Sequence, residues 1–466
     1  MAVDFGATAH SARRVRDWPV LAGQASGVRA ACLSDPPEVD MKTGLILLFA
    51  CILAVPALAQ TVAVHTGTLI DPATGRISHG DTIVIDRGVI VAIGPKAAIP
   101  AGARTVDLSD EWVLPGLVDA HTHLSLAEHP ADTQPLEATY LRESTAYRAL
   151  RGMRNAINVL WAGFTTIRDV GNSGDYAMQD VRRAIEHGLF IGPTVIDSGK
   201  IIAPFGGQSH DIPPELGLVW KFDYLDADGV AEIRKAVRIN LYRGAGVIKL
   251  VLDNSAYHYS VEELKAAVDE AHHAGVPVAV HVYGGEAADN AIEAGVDSIE
   301  HGFDLTDAQL TRMKSKGIFL AGTDYPQAHL ELIGTAGGLL PEPGVLAPHI
   351  IDRLARAHRI GVRVVFSTDT VDDFPGRTRA DAMFDYLSVW RAAGIPPADI
   401  LKSMTSEPAE LLRVSASRGR LAVGQHADLV ALPADPLSAI ENLRKINFVM
   451  KDGQVIRAVN DPASPP

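Results

Sequence analysis

The sequence predicts a (β/α)8 TIM barrel joined to a small β-sandwich formed by both ends of the chain, and three observations predict it. Between Leu117 and Asp369, eight apolar strand-like runs alternate with helical patterns, which is the mark of a parallel sheet. Short strand-and-turn texture flanks that region, from Thr61 to Trp112 and again after Leu421. Histidines, a lysine and an aspartate recur at the ends of the apolar runs, the face on which barrels assemble their sites.

The length of 466 residues suffices for one large core and a smaller companion. With 47% hydrophobic and 21% charged residues the chain belongs among ordered globular proteins. A net charge of −14, with no run of Lys and Arg, excludes a general nucleic-acid binder, since nothing would offset phosphate repulsion.

Residues 1–40 show no sustained period and read as an extension outside the fold. Met41-Lys42 then opens an apolar run, Gly44 to Val55, followed by Pro56 and Ala57-Leu58-Ala59. A short positive start, an apolar stretch and an A-x-A site describe a secretory signal peptide over 41–59, with translation starting at Met41 and a mature chain from near Gln60. The expected location is periplasmic or secreted, without stable membrane insertion after cleavage. A membrane anchor is the rival reading, but the run falls short of the roughly 20 residues a span needs. A lipoprotein site at Cys51 is weaker, because Phe49 is bulky and apolar residues continue beyond the cysteine. Cys32 and Cys51 both precede the cleavage point, so the mature chain is expected to hold no disulfide and no thiolate ligand.

The first part of the β-sandwich is expected over 60–112, the barrel over 113–415 and the second part of the sandwich over 416–466. The strand runs of the barrel are Leu117 to His123, Thr165 to Asp169, Thr194 to Asp197 and Val247 to Leu252. Val278 to His281, Ser298 to His301, Ile318 to Gly322 and Val362 to Asp369 complete the eight. One helix is marked at both ends: Ser260-Val261-Glu262-Glu263 is a capping box, and Gly275 with Pro277 closes the pattern. A doubly wound open sheet is the rival architecture, but no Gly-rich phosphate fingerprint follows the first strand. Two connections, roughly Ser198 to Asp228 and Thr323 to Pro348, exceed the usual 2–6 residues and are expected to lie over the barrel mouth as loops that select substrate.

His121 and His123 close the first strand, and their i, i+2 spacing points both imidazoles to one side. Lys249 stands inside an apolar strand, where an unpaired ammonium is costly to bury. Two readings survive for it: a lysine paired with an interior carboxylate, or one converted by CO2 to a carbamate that can bridge two cations. Burial lowers lysine's pKa and supplies the neutral amine that this reaction needs. His281 ends the fifth strand, His301 the sixth and Asp369 the eighth. Each alone is ordinary; together they form a nitrogen and oxygen ligand set suited to zinc or a similar ion, with a carboxylate able to carry protons.

These motifs resemble the amidohydrolase superfamily, in the binuclear branch that uses a carboxylated lysine. The resemblance rests on Leu114-Pro115-Gly116-Leu117-Val118-Asp119-Ala120-His121-Thr122-His123, on Ala162-Gly163-Phe164-Thr165-Thr166-Ile167-Arg168-Asp169, on Lys249, on Val280-His281, on Ile299-Glu300-His301-Gly302 and on Asp369. Met404-Thr405-Ser406-Glu407-Pro408-Ala409 and Gly424-Gln425-His426-Ala427-Asp428 extend it toward the C terminus. The nearest likeness is to imidazolonepropionase-related proteins, with the Xaa-Pro dipeptidase-like and ochratoxin-hydrolase-like members. The resemblance implies that His121, His123 and Asp369 hold one metal, that His281 and His301 hold a second, and that carboxylated Lys249 bridges two divalent ions, zinc being expected. It implies a bridging hydroxide as nucleophile and Asp369 as the proton carrier, and it implies a homo-oligomer.

Gly206-Gly207-Gln208-Ser209-His210 resembles a family segment near the substrate, which makes His210, Tyr257 and Tyr283 candidate substrate contacts. His272 and His273 lie late in a helix and read as solvent-facing. One departure stands out: Leu250-Val251-Leu252-Asp253-Asn254 follows the lysine where many relatives carry Ser-Gly-Gly, which weakens the inference of dipeptidase specificity. The expected activity is hydrolysis of a small-molecule amide, such as a dipeptide or N-acyl amino acid. Cyclic-amide opening and lactone or phosphotriester hydrolysis are alternatives. Ring deamination is opposed by Lys249, and a non-catalytic scaffold by the full set of six candidate ligands.

Overall fold

The computed structural model describes residues 61–459 apart from 128–141, 172, 209–214, 216, 218, 254–256, 335–339, 372, 373 and 375. The extension, the signal-peptide segment, both cysteines and His210 lie outside the described residues.

Five strands come first: β1 (Val62–Asp71), β2 (Arg76–His79), β3 (Thr82–Asp86), β4 (Val89–Gly94) and β5 (Arg104–Pro115). The alternating region then opens with β6 (Leu117–Thr122), α1 (Thr145–Trp161), β7 (Phe164–Asp169), α2 (Ala177–Glu186) and β8 (Thr194–Asp197). β9 (Ile201–Ala203), β10 (Tyr224–Asp226), α3 (Val230–Arg243), β11 (Ile248–Val251) and α4 (Val261–His273) follow. Next are β12 (Val278–Val282), α5 (Gly285–Ala294), β13 (Ser298–His301), α6 (Asp307–Lys316) and β14 (Phe319–Ala321). α7 (Gln327–Ile333), α8 (Pro343–Ile360) and β15 (Val364–Val365) complete it, and β16 (Leu429–Leu432), β17 (Phe448–Lys451) and β18 (Gln454–Arg457) end the chain.

The alternating strands pair in parallel and close on themselves. β6, β7 and β8 pair in order, and β9 continues through β11, β12, β13 and β14 to β15. Ala120 N donates to Phe366 O at 2.9 Å and Asp369 N to His121 O at 2.8 Å, which joins the eighth strand position to the first. Gly246 N donates to Asp197 O at 2.8 Å and closes the gap between the third and fourth. Strand residues alternate in direction: Ile248 and Leu250 pack outward with Leu264, Ala267 and Val268 of α4, while Lys249 between them is 2% exposed. The main core is thus the shell between strands and helices, while the opposite strand faces carry smaller apolar clusters, Val118 with Ala321 and Val365 and Val247 with Ala279, together with polar groups such as Lys249.

The terminal segments share one eight-stranded sheet with β5 at its centre. β5 pairs in parallel with β1 and antiparallel with β16, Leu114 standing opposite Val430. Val64, Ile83, Ile85, Val113, Leu429 and Met450 are buried together in its own core. Because β5 runs into β6 through Gly116, this sheet fixes where the first barrel strand begins.

Three expectations need correction. The connection from Ser198 to Asp228 is not a plain loop in its described parts, for it holds β9 and β10. β8 and β9 are two pieces of one barrel position, broken at Ser198-Gly199-Lys200, where Asn240 accepts from Lys200 N and donates to Lys200 O. The connection after Thr323 likewise holds α7 and the start of α8. The last barrel strand is shorter than the apolar run suggests, since Phe366 N turns to Ser403 O and Asp369 takes a left-handed φ of 54°.

The capping box is present as read: Ser260 Oγ accepts from Glu263 N, and the Glu263 carboxylate accepts from Ser260 N. Ser260→Ala removes one partner of a helix-end donor and should lower stability by about 1 kcal/mol, read as a lower midpoint in urea unfolding with an unchanged slope.

Candidate metal centre

The strand ends carry their functional side chains into one interior. His121 is fully buried, His301 and His281 are 5% and 6% exposed, and Lys249 is buried beneath them. The histidine rings form a continuous array: His123 to His121 at 5.1 Å between centroids, His121 to His301 at 5.2 Å, and His301 to His281 at 4.4 Å. Among the described residues, ligand atoms of His121, His123 and Asp369 lie within 4.8 Å of one another. Asp369 Oδ1 is 3.0 Å from His123 Nε2 and 3.4 Å from His121 Nε2, and Asp369 Oδ2 is 3.8 Å from His301 Nδ1.

Hydrogen bonds on the far side of each ring decide which nitrogen can serve as ligand. His121 Nδ1 donates to Glu300 Oε2 at 2.6 Å, and His123 Nδ1 donates to Gly171 O at 3.1 Å. A carboxylate and a carbonyl can only accept, so both rings keep their Nε2 lone pairs when neutral. Those two Nε2 atoms lie 3.2 Å apart and face the Asp369 carboxylate. Three electron-pair donors pointed at one spot repel unless a proton or a cation stands among them. The donor set therefore fits a divalent ion, with the second nitrogen of each imidazole anchored as metal-binding histidines usually are. Gly171 is required where it stands, because a Cβ there would lie 2.2 Å from His123 Cε1.

Glu300 and Arg168, both from family-like motifs but given no role by the sequence, are the hub behind these ligands. Arg168 Nη2 donates to both Glu300 oxygens at 2.8 Å, Ser298 Oγ donates to Oε1, and all three residues are buried. Burial would raise the Glu300 carboxyl, but the Arg168 guanidinium and the His121 hydrogen bond override it and hold it at about 2. Asp119 does similar work one layer away, accepting from His121 N at 2.9 Å and from Thr368 Oγ1 at 2.7 Å. It thereby ties the first strand to the eighth.

Charge balance follows from the same packing. Burial brings the Lys249 ammonium down to about 8, against the pull of Glu300 and Asp369. Burial, then the Lys249 charge, lower His121 and His281; burial and the neighbouring His281 lower His301, so these rings favour the neutral form that binds metal. Burial opposes ionisation of Asp369, yet contact with the His121 and His123 imidazoles, the latter raised toward its charged form by that carboxylate, holds it well below the usual carboxylate range.

Of the candidate substrate contacts, Tyr283 lies against the array, 4.8 Å from the His281 ring and stacked on Phe303 at 5.4 Å. Tyr257 is half exposed in the connection between β11 and α4, its hydroxyl donating to Glu263 Oε2 at 2.8 Å, at the helix cap and not in the histidine array. His272 is bound to Asp297 and His273 to its own helix backbone, both on the surface. The unusual segment after Lys249 places Asp253 beside the array: Oδ1 is 3.5 Å from His281 Nε2, and Oδ2 accepts from Tyr283 N at 2.5 Å.

The fold and a donor array able to hold a metal ion are those of a barrel hydrolase, and the chain belongs to the amidohydrolase family, whose model matches residues 112–456. It is a hydrolase acting on carbon–nitrogen bonds. Among its relatives is the ochratoxinase of Aspergillus niger, 28% identical over 445 residues that cover 86% of this chain and 87% of that protein. The imidazolonepropionase of Micrococcus luteus is 26% identical over 404 residues, covering 79% of this chain and 90% of that one. The crystal structure of a Xaa-Pro dipeptidase with methionine in its active site superposes with a TM-score of 0.74 at 28% identity, covering 86% of this chain and all of that one. The fold class and family read from the motifs are therefore correct.

Glu300→Gln removes the charge that holds both Arg168 and the His121 imidazole. It should weaken zinc binding roughly 10- to 100-fold, measured by competition with a chromogenic chelator.

Proposed function

We propose that the chain hydrolyses an amide bond in a small molecule such as a dipeptide or N-acyl amino acid, using two divalent ions, zinc by donor chemistry. His121, His123 and Asp369 would hold one ion, His281 and His301 the other, with Lys249, carboxylated by CO2, as the shared ligand. The observation that carries this reading is the convergence of two Nε2 lone pairs and the Asp369 carboxylate at 3.0–3.4 Å. Bound divalent ions would supply Lewis acidity toward the scissile carbonyl and lower the pKa of an attacking water.

The chain's own residues account for the rest. Lys249, at about 8, is neutral in roughly a tenth of molecules at pH 7, far more than an unperturbed lysine; the amine attacks CO2, forms an N–C bond and releases one proton. Asp369, kept ionised, can take the proton of the attacking water and return it to the leaving nitrogen. Tyr283 and Phe303 present a stacked aromatic wall beside the histidines, which favours a substrate with an apolar body next to its amide. We further propose export, from the segment 41–59. Among the described residues no helix is long and apolar enough to cross a membrane.

A screen of dipeptides and N-acyl amino acids against zinc-loaded protein tests the reading, with metal content measured alongside. Turnover should appear with about two zinc ions per chain and vanish on chelation; zinc-independent turnover would overturn it. Lys249→Ala should fall to background and recover in part with short-chain carboxylates. Asp369→Asn should keep most of its metal while kcat drops about 10²- to 10⁴-fold; a wild-type rate would remove it as proton carrier.

A further inference from the structure

Strand β14 supplies none of the candidate ligands, yet its end lies between two strands that do. Glu300 of β13 pairs with Ala321 of β14, and Ala321 pairs with Val365 of β15. The residues that follow, Thr323-Asp324-Tyr325, therefore emerge between His301 and Asp369.

Each residue of this tripeptide has a separate contact. Thr323 Oγ1 lies 2.8 Å from His301 Nδ1, and Thr323 N donates to Ser367 Oγ at 3.0 Å. Tyr325 OH donates to Asp369 Oδ2 at 2.8 Å, while the other oxygen of that carboxylate faces His121 and His123. Asp324, fully buried, pairs with the fully buried guanidinium of Arg353 on α8 at 3.0 Å. Arg353 also donates to Gly322 O at 2.8 Å, and only a glycine admits it, since a Cβ at 322 would lie 2.1 Å from Arg353 Nη1.

The backbone is bent to make these contacts possible. Thr323 has a φ of 46°, a left-handed conformation rare for a β-branched residue, and Tyr325 N donates to Thr323 O in a tight turn. Such strain persists only where the surroundings over-determine it. Here the buried Asp324–Arg353 pair does so, because breaking it would strand a charge in the core.

We infer that Thr323-Asp324-Tyr325 is a positioning clamp: Asp324 and Arg353 anchor it, Thr323 fixes the His301 ring and Tyr325 fixes the Asp369 carboxylate. This rests on the proposed metal reading and extends it to residues that touch no ion. Thr323 occupies Nδ1 of His301 and leaves Nε2 for a ligand role. Tyr325 occupies Oδ2 of Asp369 and leaves Oδ1 turned to the imidazoles.

The test uses the full chain loaded with zinc and three variants, Thr323→Val, Thr323→Ser and Tyr325→Phe. Zinc stoichiometry, zinc loss to a chelator, kcat and KM are measured for each. Thr323→Val should weaken retention of one ion roughly 10- to 100-fold, as loss of an outer hydrogen bond to a metal histidine does, with Thr323→Ser close to wild type. Tyr325→Phe should keep both ions, lower kcat about tenfold or more and leave KM within about threefold, the pattern of an interaction felt mainly in the transition state. Wild-type zinc retention in Thr323→Val together with wild-type kcat in Tyr325→Phe would overturn the clamp while leaving the metal reading intact. Should Thr323→Val fail to fold, the Tyr325→Phe result decides, supported by wild-type zinc retention in Thr323→Ser. A wild-type chain that binds no zinc would refute both.

Discussion

The charge on Glu300 is the constraint on which the centre depends. A buried carboxylate is costly, and it survives here because Arg168, Ser298 and His121 all donate to it. Those three partners come from three barrel strands, so one side chain fixes the rotation of the first strand's imidazole against the second and sixth. With His121 Nδ1 engaged, its Nε2 has one direction left, and Asp369 and His123 stand in that direction. The polar interior is thus a single network in which ligand geometry and barrel register are set together.

How much of this was legible in the sequence varied with how local the information was. His121, His123, Lys249, His281, His301 and Asp369 could be read because strand alternation and strand ends are visible in one dimension, and the structure brings them to one interior. Arg168 and Glu300 were equally visible as charges in apolar runs, but their partnership spans strands and has no local pattern. Thr323 and Tyr325 were hidden for another reason: they follow a strand without a ligand, in a stretch whose Gly-rich surroundings read as a loop. Tyr257 has a pairing that no local pattern announces, its hydroxyl donating to Glu263 at a helix cap. The broken third strand was missed because β9 and β10 are three residues each, too short for any period to show.

Left-handed residues end three successive strands: His301 at 65°, Thr323 at 46° and Asp369 at 54°. None is glycine, and each conformation costs on the order of 1 kcal/mol or more. The barrel offsets this through its closed hydrogen bonding and its packed shell of helices. What the strain supplies is direction, turning side chains at the rim inward where a continuing strand would carry them along the axis. Electrostatics agree with that arrangement, since burial favours the neutral form of His121, His281 and His301, while the Asp369 carboxylate raises His123 against its burial.

The central sheet of the terminal domain also bears on how the molecule is made. β5 is laid down early by the ribosome, yet its antiparallel neighbour β16 arrives only after the whole barrel has been synthesised, Leu114 meeting Val430. Until then one edge of β5 is an open template for any passing strand, and the contact that seals it has very high sequence separation. A nascent chain of this design needs the barrel to collapse first, or a chaperone to shield that edge. Loss of even the last few dozen residues would leave the edge exposed for good and make aggregation its characteristic failure.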